Sequence, residues 1–133
     1  MANVEVKDDR RYTKDHEWAK GDGKEVVVGV TAYAVEQLGD ITMVNVDVDE
    51  GDDIEAGKPY GTVESVKTLA DLFAPVSGKI VKKNEALEDE PELINDDCYD
   101  KGWIVAIAPT DGSAMDALLD PKAYTAHVEA EEG

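Results

Sequence analysis

Val44-Asn45-Val46-Asp47-Val48-Asp49 places three valines at alternate positions, each followed by a polar residue. Side chains of an extended chain point to opposite faces in turn, so this stretch reads as a strand with one buried face and one wet face. Short apolar pieces of the same kind lie on both sides of it, at residues 25–30, 59–64, 68–73, 79–83 and 103–108, separated by Gly, Asp and Pro. Strands of that length, punctuated by turn formers, mark an all-β domain built from hairpins. Six or more of them must bury their apolar faces against one another. The pattern therefore predicts a mostly β fold, a sandwich or flattened barrel.

Helical pieces are brief. Thr31 can cap residues 32–38, and Gly39 stands where a left-handed residue would end them. Toward the end, Ser113 with Asp116 can cap residues 114–119, and Asp120-Pro121 can open a C-terminal helix that runs to about Val128. The Glu-rich residues beyond it are expected to fray. In the middle of the chain, residues 48–57 lead through a strand to Glu64, and residues 75–87 lead away from a strand that starts near Thr68. The two flanks can pair as halves of one unit with residues 64–68 at its tip, which places Lys67 on an exposed hairpin turn.

Length and charge narrow the function. At 133 residues, 42% of them hydrophobic, the chain can bury one core. One domain is expected over residues 1–133, with its core at about 10–128 and frayed termini. Thirteen Lys plus Arg against thirty-one Asp plus Glu leave a net charge of −18, which repels phosphate backbones and anionic lipid surfaces. Nucleic acid and membrane are thus not expected as partners. A lone cysteine, Cys98, makes no internal disulfide, and the start of the chain has no targeting character; a reducing, cytoplasmic setting fits.

By spacing alone Lys67 would be an ordinary solvated lysine. Its surroundings say more. Gly61-Thr62-Val63-Glu64-Ser65-Val66-Lys67-Thr68-Leu69-Ala70-Asp71-Leu72-Phe73-Ala74-Pro75-Val76-Ser77-Gly78 resembles the lipoyl-attachment segment of the glycine cleavage H-protein family. Tyr12-Thr13-Lys14-Asp15-His16-Glu17-Trp18 is similar to that family's opening motif. Gly29-Val30-Thr31, Leu38-Gly39-Asp40-Ile41, Asn84-Glu85-Ala86-Leu87, Pro91-Glu92-Leu93-Ile94-Asn95 and Gly102-Trp103 follow in the family's order. Residues 66 and 68 are not the methionines that flank a biotinyl lysine, and no Asp precedes Lys67 as in the lipoyl domains of 2-oxo acid dehydrogenases. Two departures stand out: Ala32, where the family commonly has an acidic residue, and Met43-Val44-Asn45-Val46 in place of a Phe-Val-Glu-Leu type of strand.

The resemblance implies a barrel-sandwich hybrid, lipoyl/biotinyl-like, that carries lipoate covalently on Lys67 and catalyses no step itself. It implies that Glu64, Ser65 and Val66 help the lipoylating enzyme recognise the turn, and that Asp15, Glu17 and Gln37 lie near a cleft for the loaded arm. The implied partners are glycine decarboxylase, aminomethyltransferase and dihydrolipoamide dehydrogenase, served by a monomer. An alternative keeps the lipoyl group and changes the partners to a heterodisulfide-reductase-like complex of sulfur oxidation.

Other polar residues read as structural. His16 has no nucleophile beside it and is expected to be a hydrogen-bonded structural histidine; His127 is expected to be exposed on the last helix. Asp96, Asp97 and Asp100 disfavour a thiolate at Cys98, and Trp18 and Trp103 are expected in the core. The carboxylates follow no calcium-loop spacing, so no metal site is expected.

Overall fold

The structure, a computed structural model, describes residues 6–21, 24–112 and 114–132. Among them the strands are β1 (Arg11–Tyr12), β2 (Glu17–Gly21), β3 (Val26–Val30), β4 (Ile41–Val46), β5 (Asp53–Ile54), β6 (Pro59–Ser65), β7 (Leu69–Phe73), β8 (Gly78–Lys83) and β9 (Val105–Pro109). The helices are α1 (Ala32–Leu38), α2 (Ala86–Asp89), α3 (Leu93–Asp97) and α4 (Pro121–Glu132), with a 3₁₀ turn at Ala114–Ala117. One sheet has the order β1-β2-β3-β9-β8-β5 and the other β4-β6-β7, every neighbouring pair antiparallel.

The valine alternation that predicts a strand sits in β4, at the edge of the three-stranded sheet. Val44 pairs with Val63, and Val63 with Ala70, so this row faces the core. Met43, Glu64 and Leu69 form the row on the outer face. The strand begins at Ile41 and ends at Val46, two residues short of Val48. Beyond it the Asp49 amide donates to the Asp52 carboxylate at 2.8 Å and Gly51 takes φ +94°, which turns the chain.

Both sheets close on Tyr12, Trp18, Tyr60, Leu72, Ile80, Ile94, Ile104 and Ile107, all at most 2% exposed. Trp18 lies over its cross-strand partner Gly29, where a Cβ would come within 2.6 Å of the indole. Its Nε1–H donates to the Cys98 carbonyl at 2.9 Å. The Arg10 guanidinium stacks on the other side of this cluster, 4.6 Å from the Trp18 ring and 5.1 Å from that of Tyr99.

Helix α1 forms as its caps predict. The Thr31 hydroxyl accepts from the Ala34 amide at 3.2 Å, and Gly39 follows with φ +80°. Its ψ of −152° is extended, not left-handed helical, so Gly39 ends the helix by redirecting the chain into β4. At the other end, the Asp120 carboxylate caps α4 by accepting from the Ala123 amide at 2.7 Å. The expected cap at Ser113 lies outside the described residues. The expected fraying after Val128 is corrected: α4 continues to Glu132, and Glu131 is held by His16 at 2.7 Å and by His127 at 3.4 Å.

Strands β1, β2 and β5 and helices α2 and α3 are additions to the sequence expectation. Helices α2 and α3 span four and five residues, with no side-chain cap bond at either N-terminus, so neither left a capping signal to read. No helix of the described residues is long and apolar enough to cross a membrane.

Candidate functional site

Lys67 lies in the turn that joins β6 to β7. Glu64 pairs with Leu69 across the hairpin, and the Ser65 amide donates to the Thr68 carbonyl at 2.8 Å. The Ser65 hydroxyl oxygen accepts from the Lys67 and Thr68 amides at 3.2 and 3.1 Å. A serine that gathers the amides of its own turn replaces missing backbone partners. Ser65 and the backbone therefore set the turn's shape, and the Lys67 side chain has no part in it. Lys67 is exposed, and among the described residues its ammonium has neither an ion pair nor a hydrogen bond.

The turn rests on the segment between α1 and β4. The Val66 amide donates to the Asp40 carbonyl at 3.1 Å. Asn95 of α3 fixes that seat from below: its side-chain oxygen accepts from the Ile41 amide at 2.8 Å, and its side-chain nitrogen donates to the Gly39 carbonyl at 2.9 Å. A Cβ on Gly39 would stand 3.2 Å from Lys67 Cε and 3.8 Å from Nζ. Glycine thus serves twice there, for its positive φ and for clearance beneath the lysine.

Around this base the outer face is apolar. Met43, Val66 and Leu69 are 48%, 67% and 60% exposed, and Glu64 stands between Met43 and Leu69.

A cleft of about 180 Å³ opens beside the tip, where Asp15, Glu17 and Gln37 meet Leu38, Val63 and Leu72. The three residues that the resemblance implies for an arm cleft are thus brought together from β2, α1 and the β1–β2 turn. Glu17 differs from the other two because its carboxyl points inward. It is 2% exposed, accepts from the Phe73 amide at 2.7 Å, and receives a bond from the Tyr60 hydroxyl at 3.4 Å. Burial pushes its carboxyl well above the usual carboxylate range, opposed by the Phe73 amide. Glu17 ties β2 to the β6–β7 hairpin under the cleft floor. A larger hollow of about 450 Å³, lined by Trp18, Lys20, Tyr99 and Trp103 among others, shares no lining residue with this one.

His16 is a hydrogen-bonded residue, as its sequence context predicts. Its Nδ1 lies 2.9 Å from the Tyr124 hydroxyl, and its backbone takes φ +67°. Burial lowers its pKa from the usual value, against the pull of Glu131. His127 corrects the expectation of an exposed residue: it is half-buried, with Nε2 3.2 Å from the Lys14 carbonyl. Cys98 is buried. Trp18 is in the core, whereas Trp103 is only partly buried.

Sequence reasoning missed Asn95 as part of the site. It lies within a motif that carries the resemblance, but its hydrogen bonds reach main chain more than fifty residues away, and no local pattern encodes them.

The chain thus presents, on two antiparallel sheets, an exposed lysine that is unpaired among the described residues, on a turn shaped without it. The fold agrees with the crystal structure of a glycine cleavage system H protein from Mycobacterium marinum, with a TM-score of 0.86 and 38% identity over 93% of this chain and 99% of that one. The sequence pattern of the family described as Glycine cleavage H-protein matches residues 10–131. The glycine cleavage system H protein of Anaeromyxobacter sp. (strain K) is 46% identical over 129 residues, 97% of this chain and 100% of that protein. The H protein of Bacteroides thetaiotaomicron is 49% identical over 118 residues, 89% of this chain and 93% of that one. The chain belongs to the glycine cleavage H-protein family, whose members are non-catalytic carriers with lipoate on a lysine.

Proposed function

We propose that this chain is the lipoyl carrier of a glycine cleavage system, with lipoate joined by an amide to Lys67. The observation that carries the reading is an exposed ammonium, unpartnered among the described residues, on a turn whose shape is fixed without it. Acylation of Lys67 removes a charge that supports no ion pair or hydrogen bond among the described residues, so loading costs the fold little. An arm of this kind reaches on the order of 14 Å when extended. A firm base with a free arm keeps the reactive end at high local concentration for each docked partner.

In this reading Ser65 holds the turn for the lipoylating enzyme, Glu64 offers it a carboxylate, and Val66 supplies apolar contact. The bound lipoyl group supplies a disulfide that takes up the aminomethyl group and electrons of glycine. The partners are glycine decarboxylase, aminomethyltransferase and dihydrolipoamide dehydrogenase, met in the cytoplasm by a monomer in which residues 1–133 act as one domain. The cleft of Asp15, Glu17 and Gln37 gives the arm a resting place where apolar walls limit water. The glycine-cleavage names of the relatives support this pathway over the sulfur-oxidation alternative.

The test is exchange of the glycine carboxyl group with labelled bicarbonate, using the decarboxylase and the lipoylated chain. Exchange is expected with the loaded protein and not with the unloaded one. A chain that takes lipoate yet supports no exchange would refute the pathway; a chain that never takes lipoate would refute the carrier role.

A further inference from the structure

The sequence holds two histidines, His16 and His127, far apart in the chain, and the fold brings both to one carboxylate, Glu131. His16 Nε2 lies 2.7 Å from Glu131 Oε2, and His127 Nε2 lies 3.4 Å from Glu131 Oε1. The imidazole rings are 5.5 Å apart, and the three ligand atoms all fall within 4.8 Å of one another. We propose that His16, His127 and Glu131 form a site for a divalent transition metal, with Zn²⁺ the best fit, that clamps helix α4 to the β1–β2 turn.

The geometry suits such an ion. Zn–N and Zn–O bonds of about 2.0–2.2 Å in a tetrahedron separate donor atoms by about 3.3 Å, a value within the range of the present spacings, 2.7 and 3.4 Å with all three donors inside 4.8 Å. Two imidazoles and one carboxylate favour zinc over magnesium or calcium, which prefer all-oxygen sets. Three protein ligands leave a coordination position for water.

The ligands are also held in place from behind. His127 and Glu131 stand one turn apart on α4, so both face the same side. His16 is fixed by its left-handed backbone in the β1–β2 turn and by the Tyr124 hydroxyl at Nδ1. Tyr124 in turn bonds Thr31 Oγ1 at 2.7 Å. Without an ion, the 2.7 Å contact of Nε2 with Glu131 holds a proton between them; a metal would replace that proton, and with Nδ1–H donating to Tyr124, Nε2 would then present its lone pair to the ion. To admit the ion, His16 and Glu131 must draw apart from 2.7 Å and His127 must exchange its long contact with the Lys14 carbonyl. Residues 15 to 17 also line the cleft beside the tip, so the clamp would steady one wall of it. The proposal departs from the expectation, drawn from carboxylate spacing, of no metal site, and rests on a placement that no local pattern announces.

The test is Zn²⁺ titration of the chelator-treated full chain in excess Mg²⁺, which occupies surface carboxylates without competing for imidazole. One equivalent of Zn²⁺ should bind and raise the melting temperature. His127→Ala and Glu131→Gln, neither of them in the core, should each weaken binding at least about tenfold, and Tyr124→Phe by about tenfold through loss of the bond to His16. On unmutated protein, NMR should show the ring protons of both histidines shifting together at one equivalent. Histidine signals that do not move, or variants that bind as tightly as the parent, would overturn the site and assign any bound zinc to the acidic surface.

Discussion

At the hairpin tip, order resides in main-chain amides and one serine hydroxyl; at the corner where α4 meets β1, it resides in rings. Tyr124 is fully buried there, stacked on Tyr12 with centroids 4.5 Å apart and planes 11° off parallel. Its hydroxyl bonds Thr31 and His16, while Tyr12 and Leu119 exchange two backbone bonds of 2.8 Å. The tip has no buried side chain from Glu64 to Leu69, and Val66 and Leu69, on either side of Lys67 in the chain, are 67% and 60% exposed. The contrast follows from the task of each region. In the proposed function the tip is the base of an arm and must be held by groups that leave its side chain free, whereas the corner has only to stay closed.

The two regions should therefore fail separately. The largest effect is expected from Tyr124→Ala, which empties a buried ring site and should cost about 3–5 kcal/mol. Denaturant midpoints measure it, and hydrogen exchange at the tip amides should stay unchanged under native conditions. Faster exchange at the tip would show that the regions are coupled.

Glu17 is where coupling would run, since it belongs to β2 yet holds the Phe73 amide of the hairpin. Its folded pKa lies above the usual 4.5, so folding takes up a proton there. The stability this provides is full below pH 4.5 and is lost as pH rises through the raised value. Glu17→Gln keeps an acceptor for Phe73 and removes the titration. Relative to the parent, its melting temperature should climb as pH is raised from 4 to 8. Parallel curves would contradict the raised pKa.

Under the tip, Asn95→Ala leaves the Ile41 amide and the Gly39 carbonyl without partners, an expected loss of about 1–3 kcal/mol. Lipoylation by the attaching enzyme should slow, because the seat for Val66 loosens. Ser65→Ala should be milder in stability, about 1 kcal/mol, since the turn's amides can bond water. It should still slow lipoylation, read as the rate of the mass increase, because the turn itself is no longer preset. A normal rate in both variants would mean that the enzyme does not read the turn's shape.

Much of this was legible in the chain. The valine alternation gave the β4 core face, Thr31 and Gly39 bounded α1, and the segment around Lys67 pointed to the tip. What stayed hidden has common causes. Strand β1 has two residues and α2 has four, too short for a period to register. Asn95, the pairing of Glu17 with Phe73, and the meeting of His16 with His127 are contacts between distant segments, which exist only once the sheets have closed. His127 read as a surface residue because its own helix has a weak apolar face; its neighbours come from the β1–β2 turn.

The central claim is that Lys67, and no other lysine, carries the arm. Peptide mapping by mass spectrometry of the protein isolated from lipoate-competent cells, beside its Lys67→Arg variant, tests it most directly. The lipoyl mass is expected on the peptide containing Lys67 and nowhere in the variant, whose melting temperature should match the parent. A lipoyl group on any other lysine, or on the arginine variant, would contradict the account.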